Sequence, residues 1–186
     1  MYIYSKLPVY ATSASSKDLI QVLQLHQANH KKNLSDKPKT GFLSLDIHEP
    51  ILNKIHQEIG IIVAKDGSSV VGFELPFNLN HRMQLLGKDD LLLPMLNSLS
   101  FNRKILQSYN LATGIYCVSE SHRGKGIPKI MHNEFLPMLA PNFELLVFAI
   151  SRENPHSYRV ATQKLNMVEV SNDSCPWQIL VQPTGQ

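Results

Sequence analysis

The stretch Glu144-Leu145-Leu146-Val147-Phe148-Ala149-Ile150 constrains the fold more than any other part of the chain. After its carboxylate every position is apolar, with no alternation that would leave one face for water. A strand of that kind is covered on both faces, so the chain must build a sheet with further layers packed above and below it. The flanking sequence supplies those layers. Ile127, Ile130, Met131, Phe135 and Met138 recur at helical spacing before the run, and residues 155–165 read as a second helix after it. Upstream, Ile61-Ile62-Val63-Ala64 and Val70-Val71-Gly72-Phe73 flank Asp66-Gly67, a pair that accepts the positive φ angles of a tight hairpin turn. Strands at 114–118, 167–170 and 177–182 bring the predicted sheet to six or seven. Helices are expected over 15–31, opened by a capping box at Ser15-Ser16-Lys17-Asp18, and over 49–57. The class is mixed α/β (α+β), in one domain covering 1–186.

Composition excludes more than it selects. With 186 residues, 43% apolar and 18% charged, the chain is large enough to bury a core. A net charge of +3 is small and dispersed, and aromatics do not interleave with a basic stripe, so no nucleic-acid partner is expected. An anionic small ligand is equally compatible with that charge. Nowhere do about 18 apolar residues follow one another, so no membrane span is expected. The start, MYIYSKLPVYATS, lacks the basic end and apolar core of a signal peptide. Cys117 and Cys175 are too few for a disulfide framework, which makes a cytoplasmic location the expectation. His26 and His30 stand four apart on a helix, a zinc-pair spacing, but Gln27 occupies the place of a metalloprotease glutamate; no metal is expected.

The chemistry concentrates at Ser119-Glu120-Ser121-His122-Arg123-Gly124-Lys125-Gly126-Ile127, between a strand and a helix. Glycines there let several backbone N–H groups turn inward, and the helix N-terminus adds about half a positive charge. That suits a pyrophosphate. It is not a Walker A loop, because Ile127-Pro128 follows the last glycine where Lys-Ser or Lys-Thr is required. Nor is it a dinucleotide fingerprint, since Lys129 stands in place of the third glycine.

The order of hairpin, strand, RGKGI corner, helix, apolar strand and Arg152-Glu153-Asn154-Pro155-His156-Ser157 resembles the GNAT acyltransferase superfamily. The resemblance covers residues 61–77 and about 112–170, and Val118 to Ile127 match that family's Arg/Gln-x-x-Gly-x-Gly/Ala motif. It implies a mostly antiparallel sheet splayed at a cofactor cleft, with acetyl-CoA or another acyl-CoA as cosubstrate. It further implies that Arg123, Gly124, Lys125, Gly126 and Ile127 cradle the pyrophosphate. The strand edge at Cys117 and Val118 would serve the pantetheine arm and acetyl carbonyl, and Asn154 and Ser157 would lie beside the cofactor. The acceptor would be an amine attacking the thioester directly, with Glu74 and Glu120 as candidate bases. Three features depart from the pattern: Pro128 ends the motif, Ala161 stands where the family often has the tyrosine that protonates the thiolate, and Asn166-Met167 replaces Gly-Phe. Tyr158, in the same helix, is the substitute proton donor to test, against the reading that it merely packs. Either an active N-acyltransferase or a GNAT-like module that binds acyl-CoA or a partner without catalysis is consistent with these residues.

Residues 78–111 lie between two strands where many relatives have a short link. Leucines, methionines, Arg82, Lys88, Arg103 and Lys104 fill them. A helix is expected over 89–93, interrupted by Pro94, with further helix following through Ile105. Such an insertion would wall an acceptor pocket or form a homodimer contact.

Overall fold

The computed structural model describes residues 9–34, 41–87, 90–173 and 175–185. The chain opens with strand β1 (Tyr10–Ser13), helices α1 (Leu19–Asn29) and α2 (Glu49–Glu58), and the hairpin of β2 (Ile62–Asp66) and β3 (Ser69–Phe77). Helices α3 (Leu79–Leu86) and α4 (Leu92–Leu96) follow, then a ribbon of β4 (Ser100–Phe101) and β5 (Lys104–Ile105). The second half alternates β6 (Leu111–Val118), α5 (Ile127–Leu139), β7 (Leu145–Ser151), α6 (Pro155–Gln163), β8 (Val168–Glu169) and β9 (Trp177–Pro183).

Seven of the strands form one sheet in the order β1-β2-β3-β6-β7-β9-β8. Every neighbouring pair is antiparallel except β6 and β7. The apolar run behaves as its sequence requires. Leu146, Phe148 and Ile150 of β7 join a core made with Met131, Phe135 and Leu139 of α5 and Ala161 of α6. Leu145 and Val147 point the other way, into Leu92, Leu96 and Leu106 of the 78–111 segment and Ile179 and Val181 of β9. The 78–111 segment is therefore the second cover of the central strand. On the other half of the sheet, Val22 of α1 and Leu52 and Ile55 of α2 pack on Phe73, Leu75 and Phe77.

The parallel pair carries the feature that positions the site. β6 and β7 are in register only at Leu111↔Leu145, Ala112↔Leu146 and Thr113↔Val147. Beyond that they diverge, as the resemblance implied. Gly114 marks the parting: a Cβ built there would lie 2.4 Å from Phe148 Cε1, so the ring of β7 occupies the space a side chain would need.

Two expectations are corrected. Pro94 does not interrupt the helix but lies inside α4, and helix does not follow through Ile105: it stops at Leu96 and the chain turns into the β4–β5 ribbon. Its two central residues, Asn102 and Arg103, have φ of 49° and 65°, the tight-turn geometry that closes two-residue hairpins. Strand β1 went unrecognised because four half-exposed residues, Tyr-Ala-Thr-Ser, carry no apolar alternation. Lys88 and Asp89 lie outside the described residues.

Candidate functional site

The corner between β6 and α5 is assembled by short-range contacts. Ser119 N donates to Val71 O at 2.8 Å, and a 3₁₀ turn over Glu120–His122 carries His122 to within 3.2 Å of Asp66 in the β2–β3 turn. Gly124 and Gly126 then take φ of 77° and 76°, left-handed values that a branched side chain resists. Both open onto empty space, with nothing within 4 Å of a Cβ. The N–H groups of Gly124, Lys125, Gly126 and Ile127 donate to no backbone carbonyl among the described residues. They stand at the N-terminus of a 13-residue helix, whose dipole adds to their pull on an anion. Pro128 occupies the first turn, where a missing N–H costs no helical bond.

This corner borders a chamber of about 420 Å³. Arg123, Lys129, Arg159, Lys164 and His156 line it, and no acidic side chain does among the described residues. Its floor is the open edge of β6 at Tyr116, Cys117 and Val118, and α6 supplies the far wall. A strap of Gly41, Phe42 and Leu43 closes the top, its Phe42–Leu43 peptide bonded on both sides. Leu43 N donates to Asn29 O at the end of α1, and Asn154 Nδ2 donates to Phe42 O at 3.1 Å.

A second chamber of about 340 Å³ continues through the gap between β6 and β7. Phe42, Leu43, Tyr116 and Ser157 line both, so the two share a boundary. Its wall is largely apolar, with Leu45, Ile115, Phe148, Ile150 and Trp177. The 78–111 segment closes it with Leu86, Leu91, Leu92, Arg82 and Asp90. Arg82 and Asp90 are its only charged residues among those described.

The expected site residues scatter over this geometry. Cys117, Val118, Arg123, Gly124 and Gly126 line the first chamber, Ser157 lines both, and Asn154 lines the second. Arg123 also braces the loop, donating from Nε to Val118 O and from Nη2 to Asn29 Oδ1. Asn154 caps α6, accepting from Ser157 N at 3.2 Å. Lys125 is exposed and Ile127 buries its side chain under α5, so neither side chain faces the cleft. Burial pushes the Cys117 thiol up to about 12, which leaves it protonated and unsuited to act as a nucleophile.

The three acid–base candidates stand elsewhere. Tyr158 donates its hydroxyl to Glu169 Oε2 at 2.8 Å, away from the cleft, and that bond raises its pKa. Helical phase explains this. His156, Ser157, Val160, Gln163 and Lys164 face the cleft, whereas Tyr158 and Ala161 turn toward the sheet. Glu74 is fully buried against His132, and Glu120 is exposed on the 3₁₀ turn; neither lines either chamber. Reading the sequence missed Tyr116, Lys129, Arg159, the 41–43 strap and the Arg82–Asp90 pair. Alternation along β6 could have found Tyr116; the others depend on elements that meet only in three dimensions. His26 and His30 are structural: His26 Nε2 donates to Leu45 O, and His30 Nδ1 accepts from Lys32 N. Asn166 takes φ of 61°, the conformation its glycine counterpart would supply.

No protein-family model matches the sequence, and no curated protein matches it. Solved structures do match. A putative acetyltransferase, yncA, from Salmonella typhimurium, determined with acetyl-CoA, superposes at a TM-score of 0.63 with 11% identity, over 97% of this chain and 96% of that one. A GNAT superfamily phosphinothricin acetyltransferase from Sinorhizobium meliloti, in complex with acetyl-CoA, gives 0.60 and 15%, over 95% and 89%. Diaminobutyrate acetyltransferase from Paenibacillus lautus, bound to its substrate and coenzyme A, gives 0.55 and 14%, over 96% of each. These likenesses show the fold: the chain has the fold of those GNAT superfamily acetyltransferases.

Proposed function

We propose that the chain is an acyl-CoA-dependent N-acetyltransferase that moves acetyl from acetyl-CoA to a primary amine. The observation that carries this reading is the β6–β7 seam. It opens just after Thr113 and joins a chamber whose charged lining side chains are all basic, bordered by the corner's N–H groups, to one whose charged lining is the Arg82–Asp90 pair. A long, strongly anionic cosubstrate fits the first chamber, and an acceptor entering from the second would meet its reactive end at Tyr116. Two of the fold neighbours were determined with acetyl-CoA, which supports acetyl-CoA as the cosubstrate.

In this account the pyrophosphate takes the N–H groups of Gly124 to Ile127, with Lys129, Arg159 and Lys164 as cationic partners. Pantetheine runs along the open edge of β6 at Cys117 and Val118, whose backbone groups there lack the partner that β7 supplies at the other end. The acceptor nitrogen, as the free amine, forms the new C–N bond to the thioester carbonyl. Backbone N–H groups of β6 hold the developing oxyanion. The C–S bond breaks, and the proton lost by nitrogen ends on sulfur. Tyr116, whose pKa is raised by burial, keeps its hydroxyl proton, and that proton turns from Ser157 O to the departing thiolate. Glu74 and Glu120 do not face the cleft, so water removes the proton from the incoming ammonium. The enzyme's rate should then follow the acceptor's own amine pKa, not a carboxylate near 4–5.

The test is a panel of amino acids, polyamines and peptide N-termini incubated with acetyl-CoA, with free CoA measured by a thiol reagent. Acceptor-dependent CoA release, rising with pH toward the acceptor's pKa, is the expected outcome. Absence of release from every class, in a protein shown to bind CoA, would contradict catalysis.

A further inference from the structure

Arg82 and Asp90 form a buried pair in the wall of the second chamber. Arg82 Nε donates to Asp90 Oδ2 at 2.8 Å, and Nη2 donates to Oδ1 at 2.7 Å. Leu92 N adds a third donor to Oδ1 at 3.0 Å. The side chains are 11% and 1% exposed. Asp90 is thus saturated and shut off, with both oxygens engaged. Arg82 is not. A guanidinium carries five N–H groups, and the fork uses one from each of two nitrogens. Nη1 and the second Nη2 proton have no partner among the described residues.

The surplus has a direction. The chamber offers N–H donors and no available carboxylate, so a diamine or polyamine would bring a second ammonium to Arg82 with nothing to receive it. An anionic oxygen group would find a charge-assisted donor already held in place. Pre-organisation is visible on the backbone side as well. Asn78 caps α3 by accepting from His81 N at 2.8 Å, and His81 Nε2 meets Glu58 at 2.7 Å, which ties the helix bearing Arg82 to α2. Around the pair the wall is apolar, with Leu45, Ile115, Phe148 and Trp177.

We infer that the second chamber selects acceptor amines that carry a carboxylate on an apolar body, with Arg82 reading the carboxylate. The inference rests on the acyltransferase reading and names the acceptor class of that same site. The 78–111 insertion, which supplies both Arg82 and Asp90, becomes the specificity-determining element.

Matched pairs test it on the intact chain with saturating acetyl-CoA: leucine against isoamylamine, and phenylalanine against phenethylamine. Rates are compared per concentration of unprotonated amine. The acid member of each pair should show a kcat/KM at least about 10-fold above its decarboxylated partner, through KM. In Arg82→Lys, which keeps the charge and loses the fork, that acid-over-amine ratio should fall about 10-fold, while the affinity for CoA measured by calorimetry stays the same. The pairs need no substitution, so a poorly folded variant does not blunt the test. Equal or better turnover of the decarboxylated amines overturns the selection and leaves the acyltransferase reading standing. So does CoA binding without turnover of either member of either pair. A chain that binds no CoA overturns both.

Discussion

Glu74 and Tyr116 are direct partners across the β3–β6 ladder, and the two residues divide the chemistry between cleft and core. Tyr116 looks into the boundary of both chambers, its hydroxyl resting on Ser157 O at 3.1 Å. Removing that hydroxyl takes away one donor to a charged sulfur, worth about 1.5–3 kcal/mol. Tyr116→Phe should therefore lower kcat by roughly 10- to 100-fold with KM for acetyl-CoA little changed. Tyr158→Phe, which loses only its bond to Glu169, should leave kcat within about twofold of the parent. Glu74 faces inward. Its Oε1 lies 2.7 Å from His132 Nδ1, and His132 Nε2 lies 2.9 Å from Gln182 Oε1. Both ring nitrogens thus face oxygens, an arrangement that favours the doubly protonated ring. Burial alone would lower His132, but its bonds to Glu74 and Gln182 outweigh that and raise it above 6.5; burial raises Glu74 above 4.5 against the pull of His132. Each raised group stabilises the fold fully below its unfolded pKa and loses that contribution as pH climbs through the folded value. Stability to urea should accordingly begin to fall above about pH 4.5 through Glu74 and fall further above about pH 6.5 through His132. In Glu74→Gln that alkaline slope should flatten, and an unchanged slope would show that the pair is not its source.

At the scale of elements, the parting of β6 from β7 depends on a glycine. Gly114→Ala pushes a methyl against the buried Phe148 ring, an overpacking cost of about 1–3 kcal/mol. The variant should lower the urea midpoint and raise the KM for the acceptor together, because Phe148 also lines the second chamber. A loss of stability with acceptor KM unchanged would separate the ring from the cleft. The same comparison shows what the sequence could disclose. β7, the β2–β3 hairpin and α5 were legible because each has a strong local signature: an apolar run, Asp66-Gly67, and a 3.6-residue stripe closed by a glycine corner. β1 and the β4–β5 ribbon were not, since short edge pieces owe their conformation to partners distant in sequence. The corner's glycines were readable for the same local reason. Tyr158 packs, as the helical phase argued against its role as proton donor: it turns to the sheet with Ala161 while His156, Ser157 and Val160 line the cleft. Arg82 and Asp90, eight residues apart around a helix end, gave no pattern that announced a pair.

Across the whole molecule, one sheet is used twice. Its first half is a closed platform under α1 and α2, and its second half is opened along one seam and walled by pieces from distant parts of the chain. The 41–43 strap, the β6–α5 corner, α6 and the insertion converge only because the sheet brings them to one end of that seam. Among the described residues no helix is long and apolar enough to cross a membrane, and no cluster of three or more His, Cys, Asp or Glu could hold a metal ion. The function is thus read from the seam and the charges around it. Its central claim is that CoA lies in the basic chamber with its pyrophosphate on the glycine corner. Calorimetric titration of CoA into the parent chain and into Gly124→Val and Gly126→Val tests this most directly, since a branched side chain at φ near 77° must distort the N–H cradle while touching no core residue. Saturable binding to the parent, weakened at least about 10-fold in each folded variant, is the result expected. No binding to the parent, or equal affinity in both variants, would contradict it.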